Sequence, residues 1–250
     1  IYMSLYKLLY HHNNYKVKND KLLLPTDWCF EKETKEAFLH DDDLWRNVPN
    51  LAQQGIINSQ RELHEKLMLP HLVQSHGHEI YSIPIFNNEF VEMVLDEINY
   101  IKQETDFQVN PLETQNAQIS EFNLQNKSSL WYLTQMVLVY QKFNLIFQYL
   151  FGQQVQSGTV QLANYNPRGT SETSYHHDED SAITMVVPLN TGDYEGGGTD
   201  FLFRGNIPPL PRGHGLIFPA FTHLHRGEAV LSGDRYLLVY WLGSPMSDLP

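Results

Sequence analysis

The sequence is poor in cysteine, in uninterrupted apolar runs and in clustered positive charge. Cys29 is the only cysteine among 250 residues, which excludes an intramolecular disulfide and any cysteine-based zinc site. Its expected part is packing. No stretch approaches the roughly 18 to 20 apolar residues of a membrane-spanning helix. Even 130–151 is broken by Thr134, Gln135, Gln141, Lys142, Asn144 and Gln148, so no membrane span is expected. Lys and Arg number 17 against 29 Asp and Glu, a net charge of -12, and no basic cluster interleaved with aromatics offers a groove to a phosphate backbone. Nucleic acid is therefore not an expected partner. The chain opens on Ile1, with neither an initiator Met nor a recognisable signal sequence, and reads as a fragment whose targeting segment lies elsewhere.

With 42% hydrophobic residues, a chain of this length can bury a substantial core. Residues 1–78 are rich in His, Asn and charge, carry Asp41-Asp42-Asp43, and contain helical-looking stretches over 31–39 and 59–69. They read as an accessory N-terminal segment wrapping a main domain over 79–250. Within that domain 81–86 reads as a strand. It leads into a helix over 87–103, with Phe90, Val91, Val94, Leu95, Ile98 and Ile101 on one face and Asn87 or Asn88 as cap. The polar stretch 105–127 reads as a mobile loop. A second helix is expected from Ser128 or Ser129 to Phe151, stopped by Gly152. From Val155 onward short strands follow, bounded by Gly, Pro and Asn: 159–165, 182–188, 201–204, 215–218 and 235–241. The pattern predicts an α+β protein whose core is a jelly-roll, cupin-like pair of sheets closing on a cavity, buttressed by the N-terminal helices. Gly196-Gly197-Gly198 permits a tight turn or bulge and is read as architectural.

Two segments carry chemistry. In extended backbone, residues two apart share a face, so His176 and Asp178 form a two-point clamp, with His177 pointing away. A third ligand from a distant strand would complete two imidazoles and one carboxylate, a face that leaves positions open on Fe(II). His225 is the candidate, and His223, on the same strand face, is the alternative. Ten residues beyond His225, Arg235 opens the apolar run Tyr236-Leu237-Leu238-Val239-Tyr240-Trp241. A fixed guanidinium there could hold a carboxylate bidentately. His214 reads as a surface or supporting histidine, and His11, His12, His71, His76 and His78 lack a carboxylate in matching geometry.

The ordered set resembles the Fe(II)/2-oxoglutarate oxygenases, and among them the catalytic domain of procollagen lysyl hydroxylases. The likeness covers roughly the last two thirds of the chain. It runs from Glu79-Ile80-Tyr81-Ser82-Ile83-Pro84-Ile85-Phe86 through Asn164-Tyr165-Asn166-Pro167, the His176–Asp178 clamp and Asp193-Tyr194-Glu195-Gly196-Gly197-Gly198-Thr199-Asp200-Phe201 to the strands of His225 and Arg235. The resemblance implies a double-stranded β-helix, His176, Asp178 and His225 as iron ligands, Arg235 as anchor of 2-oxoglutarate, and Tyr165 as a second contact to it. Fe(II), 2-oxoglutarate and O2 are the implied cofactors, with ascorbate in a supporting part. The implied reaction is hydroxylation of an unactivated C–H bond with release of succinate and CO2. Retention of Asp178 favours hydroxylation over halogenation, which needs that position vacant.

The implied acceptor is a peptidyl lysine or other basic side chain of a peptide or protein, with a homodimer allowed; by their charge, Glu172, Glu179, Asp180, Asp193, Glu195 and Asp200 would either draw a cationic acceptor or form a solvated acidic surface that keeps the protein soluble. A free amino acid or small molecule is the alternative substrate, and a non-catalytic metal-binding cupin-like protein is the alternative class. The family has an Asn on the strand after the clamp that helps hold the co-substrate, where Met185 aligns here. It also has small hydroxyl residues where Glu179-Asp180 stand. Its animal members are cysteine-rich and secretory, so the single cysteine favours a cytoplasmic setting.

Overall fold

The structure is a computed structural model, and it describes residues 18, 29–32, 72–104, 107–109, 119–123, 143–144, 146–148, 150–153, 155, 157–179 and 181–243. The expected helix over 59–69, most of those over 31–39 and 128–151, and His11, His12, His71 and Asp180 lie outside these residues. Thirteen strands and one complete helix are described: β1 (Gln74–Gly77), β2 (Ile80–Pro84), α1 (Asn88–Glu104), β3 (Gln108–Val109), β4 (Ser120–Asn123), β5 (Ser157–Tyr165), β6 (Ile183–Pro188), β7 (Glu195–Gly196), β8 (Thr199–Phe201), β9 (Gly205–Ile207), β10 (His214–Pro219), β11 (His225–Gly227), β12 (Val230–Ser232) and β13 (Arg235–Gly243). Eight of them form one antiparallel sheet in the order β1-β2-β10-β6-β13-β5-β4-β3, while β11-β8-β9 and β12-β7 make two small sheets. The polar stretch expected to be a loop therefore carries two short strands, β3 and β4. They extend the sheet because β4 finds the free edge of β5.

β13 is the centre of the large sheet, paired along its length with β5 and β6. Both its faces are covered, which is why its sequence reads as an apolar run without alternation. The side chains nonetheless alternate in destination: Leu238, Tyr240 and Leu242 enter the main core, while Leu237 and Val239 face the space between the sheets. The same parity divides β5, with Val160 and Leu162 on the core side and Ala163 and Tyr165 on the other. The core side is closed by α1, whose Phe90, Val91, Val94 and Ile98 are buried at helical spacing. Asn87 caps that helix by accepting the Phe90 N–H at 2.9 Å, and its amide also donates to the Phe30 carbonyl. Cys29 and Phe30 lie in this core, so the packing expected of Cys29 is what the structure shows.

Candidate active site

His176 and His225 meet through an isolated antiparallel bridge, each backbone N–H donating to the other's carbonyl at 2.9 and 3.0 Å. Their rings lie 4.6 Å apart. Asp178 completes the group, one carboxylate oxygen 3.7 Å from His176 Nε2 and the other 3.6 Å from His225 Nε2. One ligand atom from each of the three lies within 4.8 Å of the others, and among the described residues no other three His, Cys, Asp or Glu side chains converge in this way. Both imidazoles are oriented alike. Nδ1 of His176 faces the Ser174 carbonyl at 2.8 Å and Nδ1 of His225 faces that of His223 at 2.9 Å. With the proton on Nδ1, each Nε2 lone pair is left for a metal.

His225 is nearly enclosed, packed against Phe218 and Phe201. Burial pushes its pKa down to about 4, opposed by Asp178 and assisted by His176. A neutral imidazole is the form that ligates. Asp178 is held by the hydroxyl of Thr184 on β6, a buried residue that the sequence reading did not single out. Strand parity was the available signal, since Thr184 and Val186 share the cavity face of β6.

Beside the cluster opens a cavity of about 430 Å³, its mouth to solvent included. Arg235, Leu237, Val239 and Trp241 of β13 line it, with Gln161 and Tyr165 of β5 and Thr184 and Val186 of β6. Arg235 is paired across the sheet with Tyr165, and its guanidinium carbon lies 5.4 Å from the centre of that ring. Although the residue is only 3% exposed, its Nε and Nη1 have no hydrogen-bond partner. A buried cation with unmet donors is costly, and a carboxylate ligand in the cavity would meet them. Glycines give the anchor room. A Cβ on Gly197 would come within 3.2 Å of Arg235 Cδ, and one on Gly227 within 2.9 Å of the Tyr165 ring. The His–Asp–His group and the buried guanidinium thus fit iron and a dicarboxylate, respectively.

Other expectations resolve differently. Met185 is fully buried in the core on the far side of β6, so its side chain does not face the cavity; Val186 stands on the inner face instead. His223 is turned away, its ring nitrogens on the His78 carbonyl and the Thr222 hydroxyl, so it does not join the cluster. His177 points outward against Phe221. Asp200 is not a free acid at the mouth: it accepts from Tyr175 and pairs with Arg226, which also stacks on Tyr175 and reaches Glu228. Glu172, Glu179, Asp193 and Glu195 are exposed.

No family model matches the chain. Over 193 residues it is 25% identical to a multifunctional procollagen lysine hydroxylase and glycosyltransferase of Caenorhabditis elegans, a match covering 72% of this chain and 26% of that protein. The chain thus spans about a quarter of the length of that relative. Among solved structures, a Pseudomonas putida prolyl-4-hydroxylase superimposes with a TM-score of 0.51 at 15% identity, covering 67% of this chain and 93% of the other. A Trichoplax adhaerens prolyl hydroxylase, solved with a hypoxia inducible factor peptide fragment, gives 0.51 at 14%, covering 66% and 84%. The fold is the double-stranded β-helix of the 2-oxoglutarate/Fe(II) oxygenases, and the likeness to lysyl hydroxylases is partial.

Proposed function

We propose that this chain is the catalytic part of an Fe(II)- and 2-oxoglutarate-dependent dioxygenase that hydroxylates an unactivated C–H bond. The proposed acceptor is a peptidyl lysine or other basic side chain, and the proposed co-products are succinate and CO2. The observation that carries the reading is a single cavity containing both a His–Asp–His cluster and a buried guanidinium with unmet donors. Support for the acceptor class comes from the lysine hydroxylase relative, from the peptide bound by one structural neighbour, and from the exposed Glu172 and Glu179 flanking the clamp.

His176, Asp178 and His225 would hold iron, which supplies the dioxygen chemistry that no side chain can. The backbone carbonyls of Ser174 and His223 keep both imidazoles in the ligating tautomer. Thr184 fixes the rotation of the Asp178 carboxylate. Arg235 takes the distal carboxylate of 2-oxoglutarate through its planar fork, with Tyr165 alongside. Leu237, Val239 and Ile119 make the cavity wall apolar, which excludes water and strengthens the charge pairing within. Among the described residues Asp178 is the only carboxylate lining the cavity, so the exposed Glu172 and Glu179 would supply the counter-charge for a cationic acceptor.

The test is succinate formation by Fe(II)-loaded protein given 2-oxoglutarate and air, with and without a pool of lysine-containing peptides, and with His176→Ala as control. Succinate that rises with peptide and vanishes in the control is expected. Its absence from folded, metal-loaded protein would leave a metal-binding protein without turnover.

A further inference from the structure

β5 runs Val160-Gln161-Leu162-Ala163-Asn164-Tyr165, and its alternation sets Gln161 on the cavity face with Ala163 and Tyr165. Gln161 is 4% exposed, and its carboxamide oxygen is buried without a hydrogen-bond partner. Its cross-strand neighbour on β13 is Val239, which offers none. A buried amide left unpaired is destabilising unless a ligand completes it. The residue therefore has the character of a binding group.

We infer that Gln161 is a co-substrate contact, hydrogen-bonding the metal-proximal end of the 2-oxoglutarate whose other end Arg235 holds. This rests on the oxygenase reading above. The Val239 level of Gln161 lies four residues from Arg235 along β13, about 13 Å at about 3.3 Å per residue. The clamp lies farther along, because Thr184, which holds Asp178, pairs with Trp241. Extended, a five-carbon dicarboxylate spans about 5 Å between its terminal carbons, and a polar contact of about 3 Å at each end brings the reach to about 11 Å from a guanidinium that stays level with Tyr165, so Gln161 is placed to meet the end that Arg235 does not. The dianion offers only acceptors, and a carboxamide can turn over to present its N–H2 with little change of shape. The nearby inward residues of β6 leave this part open, since Thr184 already donates to Asp178 and Val186 has no polar group.

The test is calorimetric titration of 2-oxoglutarate into Fe(II)-loaded protein under argon, comparing wild type with Gln161→Met, of nearly the same shape, and Gln161→Glu. If Gln161 donates to the ligand, Met raises Kd about tenfold and Glu, with like charge facing a carboxylate, about a hundredfold. Iron affinity, titrated separately, stays within about twofold of wild type. Unchanged 2-oxoglutarate affinity in both variants overturns the inference, as does weakening that is equal in the two or matched by loss of iron binding, which marks a structural role. Wild type that binds iron but no 2-oxoglutarate defeats the oxygenase reading itself, a result distinct from a failure of Gln161 alone.

Discussion

Thr184 contributes one hydroxyl, and that hydroxyl fixes the rotation of the carboxylate between two imidazoles. Thr184→Val keeps the shape of the side chain and removes the donor. Iron affinity is expected to fall about 10- to 100-fold, the usual cost of losing a hydrogen bond that orients a ligand, with fold retained in circular dichroism; unchanged affinity would show that Asp178 is held without it. At Arg235 the geometry of the donors matters as much as the charge. Arg235→Lys keeps the cation and loses the fork, so 2-oxoglutarate binding should weaken by about tenfold or more while iron binding stays near wild type. Binding titrations of the two ligands on one preparation separate these effects. Gly227→Ala acts from the other side of the anchor. Its Cβ would press the Tyr165 ring at 2.9 Å, so co-substrate affinity should drop although no hydrogen-bonding group is removed.

α1 begins at a single side chain that ties two elements, since Asn87 caps the helix and holds the Phe30 segment. Asn87→Ala should cost about 1–2 kcal/mol of stability, read as a lower urea midpoint with the iron affinity of folded protein unchanged. Elements of this kind were legible in the sequence because their signals are local. The cap, the 3.6-residue apolar face and the strands bounded by Gly and Pro all lie within a few residues of the feature they specify. The convergence of His176 and Asp178 was equally legible, because they lie two apart on one extended segment. β3 and β4 were not, because a polar strand on a sheet edge is stabilised by a partner far away in sequence. Met185 was misplaced for a related reason. β6 is apolar on both faces, so composition cannot say which residue of Thr184, Met185 and Val186 looks inward, and a one-residue error reverses the answer. Gln161 was readable by the same rule, two and four residues before Ala163 and Tyr165, yet nothing in the sequence says that its amide lacks a partner.

The clamp and the anchor sit on different layers of the molecule: His225 belongs to a small sheet and Arg235 to the large one. Iron held by His225 of the small sheet and by Asp178, which Thr184 of the large sheet fixes, should therefore tie the two layers and stabilise the whole fold. Fe(II) at about 100 times its Kd should add about 2.7 kcal/mol, raising Tm by about 5–10 °C for a protein of this size. A chelator should reverse the shift, and His176→Ala should show none. The net charge of -12 acts at the same scale. If a cationic peptide is the acceptor, its KM should rise with ionic strength as screening shortens the reach of the exposed Glu172 and Glu179, whereas KM for 2-oxoglutarate, proposed to bind inside the cavity, should change little. β13 binds these properties together. Alternate residues of one nine-residue strand serve two masters, Arg235, Leu237, Val239 and Trp241 the reaction chamber and Leu238, Tyr240 and Leu242 the foundations. The strand behaves as a text with a reading frame: a single-letter change corrupts one meaning, but deleting one letter after Arg235 would exchange the two for every residue downstream that keeps its place in line, turning Leu238, Tyr240 and Leu242 toward the chamber and Val239 and Trp241 into the foundations.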